Sequence, residues 1–115
     1  MIEVNRENLA WAAGFFDGEG TVGCRKGPKK VQLQLKVGQA DPETLEKFLD
    51  AIGFGKIYGP YTHDKRPNRK PMWNYTVTKH EHVQAAIAMM WPFLGTIKRE
   101  DALRALTTYR NDWWS

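Results

Sequence analysis

The sequence predicts an α+β fold of order α-β-β-α-β-β-α-α, a curved four-stranded antiparallel sheet backed by helices, with residues 1–115 forming a single domain. Three observations predict it. Val31, Leu33, Leu35 and Val37 alternate with Gln32, Gln34, Lys36 and Gly38, the period of a strand that buries one face. Trp73, Tyr75 and Val77 alternate in the same way with Asn74, Thr76 and Thr78. Segments with helical caps and helical apolar spacing stand before, between and after these strands.

The first helix starts at Asn5, a favoured N-cap, with Glu7 in its first turn. Leu9, Trp11, Ala12, Phe15 and Phe16 make it apolar over most of its circumference, so it is expected to be buried. Ala10, Gly14 and Gly18, four residues apart, form one small-residue ridge, which suits close backbone contact with a second helix. Thr21–Lys26 reads as a strand and Gly27-Pro28-Lys29-Lys30 as a turn, so that the next strand, 31–39, completes a hairpin. Asp41-Pro42-Glu43 is a strong helix start; Leu45, Phe48, Leu49 and Ile52 follow at helical spacing, and Gly53 ends the element. Lys56–Gly59 and 73–78 are predicted to form the second hairpin, joined by the polar, cationic loop 62–71. Thr78 and Glu81 have the spacing of a capping box for a helix carrying Val83, Ile87, Met90 and Trp91 and stopped by Pro92. A last helix is expected from about Ile97 to Arg110, with Ala102, Leu103 and Leu106 on one face. Trp113 and Trp114 either fold back on the body or serve another contact.

The end of the first helix is the most informative stretch. Asp17-Gly18-Glu19-Gly20 puts two carboxylates where the helix dipole is already negative, an arrangement that calls for a compensating cation. Carboxylate and freed backbone carbonyl oxygens are the ligands that hard ions such as Mg²⁺ prefer. A lone D-G-E-G would be a glycine cap and a solvated turn; its coupling to the ridge argues otherwise.

Composition sets the bounds. With 42% apolar residues, five Trp and five Phe, the 115-residue chain can bury one core of modest size. A net charge of +4 and a pI near 9.3 suit a polyanionic partner. Cys24 is the single cysteine, which excludes an internal disulfide and any paired-cysteine zinc site. There is no apolar run of about 18 residues and no secretory pattern at Met1-Ile2-Glu3-Val4. The expected location is intracellular, cytoplasmic or organellar, without membrane contact. His80 and His82 fall i, i+2 at a helix start, where side chains diverge, and are read with His63 as surface residues.

On the uncovered sheet face, parity places Thr21 and Arg25, then Gln32, Gln34 and Lys36, then Asn74, Thr76 and Thr78. Amides pair with adenine edges, and Arg or Lys with guanine, so this face has the residue types of major-groove readout. Lys29, Lys30, Lys65, Arg66, Arg69 and Lys70 are the candidate phosphate contacts. An ordinary solvated sheet face is the competing account.

Residues 12–20, ending Gly14-Phe15-Phe16-Asp17-Gly18-Glu19-Gly20, resemble the signature of the LAGLIDADG homing endonucleases, in the G-F-F-D-G-E-G form. Ala12 stands where the motif's name has leucine, and Glu19 where it has the second aspartate. The order of elements extends the resemblance along essentially the whole chain. The string occurs once, so the resemblance implies the single-motif, homodimeric type, with Ala10, Ala13, Gly14, Asp17 and Gly18 at the contact between copies. It further implies Mg²⁺ or another divalent cation such as Mn²⁺, held by Glu19 and the Gly18 carbonyl of each chain, and no organic cofactor. By position relative to the elements, Lys98 (with Arg99 an adjacent alternative) and Gln39 correspond to the polar residues around the reactive water. The implied function is metal-dependent, site-specific cleavage of double-stranded DNA at a long, near-palindromic site. The alternatives are an inactive DNA-binding regulator or an RNA-binding intron-splicing cofactor on the same fold, or a small protein-interaction domain.

Overall fold

In the computed structural model, which describes residues 5–26, 28, 30–62 and 70–114, helix and strand follow each other in the expected order. Helix α1 (Arg6–Glu19) runs straight into β1 (Gly20–Lys26), and β2 (Val31–Gln39) returns beside it. Helix α2 (Pro42–Ile52) leads to β3 (Lys56–Tyr61) and β4 (Met72–Val77), followed by α3 (His80–Met90), a 3₁₀ turn (Trp91–Phe93) and α4 (Thr96–Trp114). The four strands form one curved antiparallel sheet in the order β1-β2-β4-β3, so the two hairpins meet through β2 and β4.

Local chemistry explains the boundaries. The Asn5 side chain accepts the Asn8 amide at 3.1 Å to open α1. Asp41 accepts from the Glu43 amide at 3.0 Å and from the Thr44 hydroxyl at 2.7 Å, and the Thr44 bond is the main reason its carboxyl lies below its ordinary pKa. Gly53 closes α2 at φ 96°, a left-handed conformation that glycine adopts without steric cost. The expected capping box at Thr78 and Glu81 does not form. Helix α3 starts later, with Lys79 as its cap residue and no side-chain cap bond, because the Glu81 carboxylate turns to Lys79 at 4.0 Å and His80 at 3.7 Å. Strand β3 continues two residues beyond Gly59, β4 ends at Val77 rather than Thr78, and the helical run of α4 continues past Arg110 through positions 113 and 114.

The core lies between one sheet face and the helices. Leu33, Leu35, Val37, Tyr75 and Val77 supply the sheet side; Leu9, Ala12, Ala13 and Phe16 of α1, Leu45, Phe48 and Ile52 of α2, and Val83, Ile87 and Met90 of α3 supply the other. Helix α4 covers β1 and β2 with Ala102 and Ala105, where Cys24 Sγ donates to the Ala105 carbonyl at 3.0 Å. At the centre the Phe48 and Tyr75 rings meet edge-on, 4.9 Å apart. The Tyr75 hydroxyl donates to the Phe54 carbonyl at 2.7 Å, and burial pushes its pKa up from 10.0.

Tyr75→Phe should destabilise the fold by about 1–2 kcal/mol in urea unfolding, since it leaves the Phe54 carbonyl without its donor. Because the folded-state pKa is the higher one, Tyr75 contributes to a loss of stability as pH rises above 10.0, where the unfolded chain ionises first. That alkaline loss should be smaller in Tyr75→Phe.

Candidate nucleic-acid interface

Antiparallel partners share a face, so the register assigns the open surface row by row. Arg25 stands opposite Gln32, and Gly23 opposite Gln34. Thr21, Lys36, Thr76 and Lys56 make one row across all four strands. Gly38, Asn74 and Tyr58 make the next. A Cβ at Gly38 would stand 3.0 Å from Asn74 Oδ1, so glycine there makes room for the amide. The residues that parity assigned to the uncovered face therefore share one surface of amides, hydroxyls and cations. Sequence reasoning missed Lys56 and Tyr58. Strand β3 shows no apolar alternation, and only its pairing with β4 reveals which of its residues join this face. Thr78 lies one residue past β4, and Lys30 and Lys70 are exposed beside the hairpins. Lys29, His63, Lys65, Arg66 and Arg69 lie outside the described residues.

Helix α1 is buried on one side only. Leu9, Ala12, Ala13 and Phe16 face the core, whereas Ala10, Gly14 and Gly18 are exposed. Cβ atoms built at Gly14 and Gly18 meet nothing within 4 Å. The ridge is thus open backbone along a helix whose opposite side is core. Ala13 does not belong to it: its accessibility is 0%, and a second chain could not reach it. The expectation that Ala13 sits at a contact between copies is corrected accordingly, because its position on the helix turns it toward the sheet.

The ridge ends at the α1–β1 junction, where Glu19 is exposed. A Cβ at Gly20 would overlap the Phe16 ring, so glycine alone lets the chain leave the helix and enter the strand here. Lys98 Nζ stands 5.9 Å from the centre of the same ring, and Lys98 therefore comes to the junction from α4. Gln39 reaches the same end of the sheet: Gly20 pairs with Val37, and Gln39 lies two residues further along β2. Its Oε1 accepts from the Ala40 amide at 2.9 Å. Arg99, the alternative to Lys98, is turned away. Its Nε and one terminal nitrogen donate to the Trp91 carbonyl at 3.2 and 2.8 Å, and its guanidinium lies over the Trp91 ring.

The two acidic residues have different partners. Both carboxylate oxygens of Asp17 accept the Gly95 amide, at 3.1 and 3.0 Å, immediately before α4. This answers the puzzle of an acid at a helix C-terminus: the compensating positive end is the start of another helix of the same chain. Asp17 is half-buried and tied to the start of α4 in its own chain. Glu19 forms no ion pair among the described residues. No group of three or more His, Cys, Asp or Glu that could hold a metal occurs among the described residues of one chain. Glu19 with the helix-end carbonyl of Gly18 fits a hard divalent ion in kind, while in number it supplies part of a coordination shell. His80 and His82 part company, His80 stacking on Tyr109 and His82 on Phe54.

No family model and no curated protein matches this sequence. Its fold is that of the LAGLIDADG homing endonucleases. The structure of homing endonuclease I-CvuI in complex with its target in the presence of Ca superposes with a TM-score of 0.72 at 21% identity, covering 93% of this chain and 68% of that one. LAGLIDADG meganuclease I-AabMI bound to uncleaved DNA gives 0.70 at 23% identity, covering 93% of this chain and 36% of that one. The intron-encoded I-CeuI complexed with DNA gives 0.64 at 13%, covering 96% and 56%. No helix among the described residues is long and apolar enough to cross a membrane.

Asp17→Ala should cost about 1 kcal/mol in urea unfolding, the usual effect of removing a side-chain acceptor at a helix start. Asp17→Asn, which keeps an acceptor but not the charge, should lose less.

Proposed function

We propose that two copies of this chain form a metal-dependent endonuclease that cuts both strands of a long, near-palindromic DNA site. The observation that carries this reading is the position of Glu19. One exposed carboxylate stands where the open ridge of α1 passes directly into the open face of the sheet. A second chain packed on the ridge through Ala10, Gly14 and Gly18 brings a second Glu19 to the same place, under DNA lying on both sheets.

Glu19 and the Gly18 carbonyl from each chain are the residues that hold a divalent cation, Mg²⁺ or Mn²⁺. Such an ion supplies charge opposing the scissile phosphate and an activated water. The chain's own residues do the rest. Lys98, at the Phe16 ring, offers a fixed cation to the developing charge on the phosphate. Gln39, at the sheet end, orients water through its amide. Gln32, Gln34, Lys36, Arg25, Thr21, Asn74 and Thr76 read base edges, and Lys29, Lys30, Lys65, Arg66, Arg69 and Lys70 meet phosphates. Support comes from the shared fold with proteins that were seen on DNA, among them I-CvuI, in one complex with Ca and in another with Mg in which the DNA was not cleaved.

Incubated with a plasmid library, the protein should cut specific sites with Mg²⁺ and bind them uncut with Ca²⁺. Glu19→Gln should still bind and lose cleavage by several orders of magnitude. Cutting by Glu19→Gln would overturn the site, and binding without cutting under either ion would point to the regulator or splicing-cofactor alternative. Gly14→Leu should leave the folded chain as stable as the parent, because open space surrounds position 14. The same substitution should shift the solution mass by ultracentrifugation from two chains to one and abolish cleavage. A parent protein that is strictly monomeric on DNA would contradict the dimeric reading.

A further inference from the structure

A cleft at the corner of the sheet, away from the α1–β1 junction, remains unassigned. Lys56, Tyr58, Thr76, Thr78, Lys79 and His82 line it, where the end of β4 turns into α3 beside β3. Among the described residues no Asp or Glu lines it, although the chain carries thirteen acidic residues. It offers two ammonium groups and three hydroxyls, and so is rich in donors. One acid comes near: Glu81 reaches Lys79 at 4.0 Å, but both side chains are more than 60% exposed, which makes the pair weak. The walls are fixed. Gly55 at φ 113° lies so close on the Tyr75 ring that a Cβ there would stand 2.5 Å from it, and His82 stacks on Phe54 with centres 4.7 Å apart. Helix α3 opens at Lys79 without a side-chain acceptor, which adds backbone donors on the same side.

We propose that this corner cleft is a seat for a backbone phosphodiester of the bound duplex, with Lys79 as its diagnostic cation; the inference rests on the DNA-binding reading given above. Donors converging without acid suit a singly charged tetrahedral oxyanion. A polymer is favoured over a free anion by continuity with the reading face. Lys56 and Thr76 pair across β3 and β4 and close the row begun by Thr21 and Lys36, so the cleft opens at the end of that row. A duplex following the row therefore runs its backbone into the cleft. Lys79 stands beyond β4, off the face, and has no base edge to read. Its contribution is to register and affinity, independent of sequence.

The test is the salt dependence of binding to a duplex of arbitrary sequence, measured by fluorescence anisotropy. Lys79→Gln should lower the slope of log K against log[salt] by about 0.9 per chain, the loss of one phosphate contact. Lys47→Gln on α2, whose amine lies 4.0 Å from the centre of the Trp11 ring of α1, should leave the slope unchanged. Titration with inorganic phosphate, followed by amide NMR, should move Thr78, Lys79 and His82 only weakly, and a short duplex should move them strongly. Normal binding by the parent with an unchanged slope in Lys79→Gln overturns this inference and leaves the DNA-binding reading intact. Saturation by inorganic phosphate without a response to duplex overturns it in favour of a free-anion site. A parent that binds no duplex at low salt overturns both readings.

Discussion

The contact on which the rest of this structure depends is the seat of the Phe16 ring against Gly20. It permits a helix to become a strand with no intervening loop, so α1 and β1 share one fixed geometry. The ring also stacks near Phe48, which meets Tyr75 in the middle of the sheet. One aromatic chain therefore connects the helix end to the core and, through Lys98, to α4. Any residue other than glycine at position 20 would have to move Phe16, and with it the end of α1, the first strand and the lysine. The position of Glu19 is a product of core packing rather than of a flexible surface turn.

Much of this could be read from the sequence, and what could not was geometric. Strand β2 and helix α2 were legible because each is half-buried: alternation and helical spacing are written by the core, and caps such as Asn5, Asp41 and Gly53 mark the ends. The Gly-rich acidic string was legible because several demands converge on few positions. Strand β3 was legible only in part. As an edge strand with most of its side chains exposed, it carries no periodic signal, and Lys56 and Tyr58 came to the open face through pairing alone. The capping box failed because the Glu81 carboxylate turns to its neighbours Lys79 and His80, and a four-residue motif cannot show that competition. Arg99 and Lys98 are adjacent in sequence, and only the path of the 3₁₀ turn decides which one is held away by the Trp91 carbonyl.

The described residues leave two surfaces uncovered, the ridge of α1 and the open sheet face, and they meet along one line. The ridge of α1 has lost its side chains, while the sheet face is dressed in polar ones. These are different kinds of incompleteness. Bare backbone asks for close, dry contact, which a second helix can give. Amides and ammonium groups ask for a hydrated, patterned, anionic surface. The cationic excess of the chain as a whole suits the second and is indifferent to the first.

The bond from Gly95 to Asp17 has a consequence for charge at the junction. With Asp17 bound to the Gly95 amide of its own chain, the string that shows two acids on paper leaves one carboxylate, Glu19, with no ion pair among the described residues. On the dimeric reading, two chains then bring two such carboxylates together. The two Asp17 carboxylates keep their charge, but each faces the amide end of a helix, which lessens the repulsion between protomers. The internal tie thus lowers the electrostatic cost at which two protomers can meet before any ion arrives.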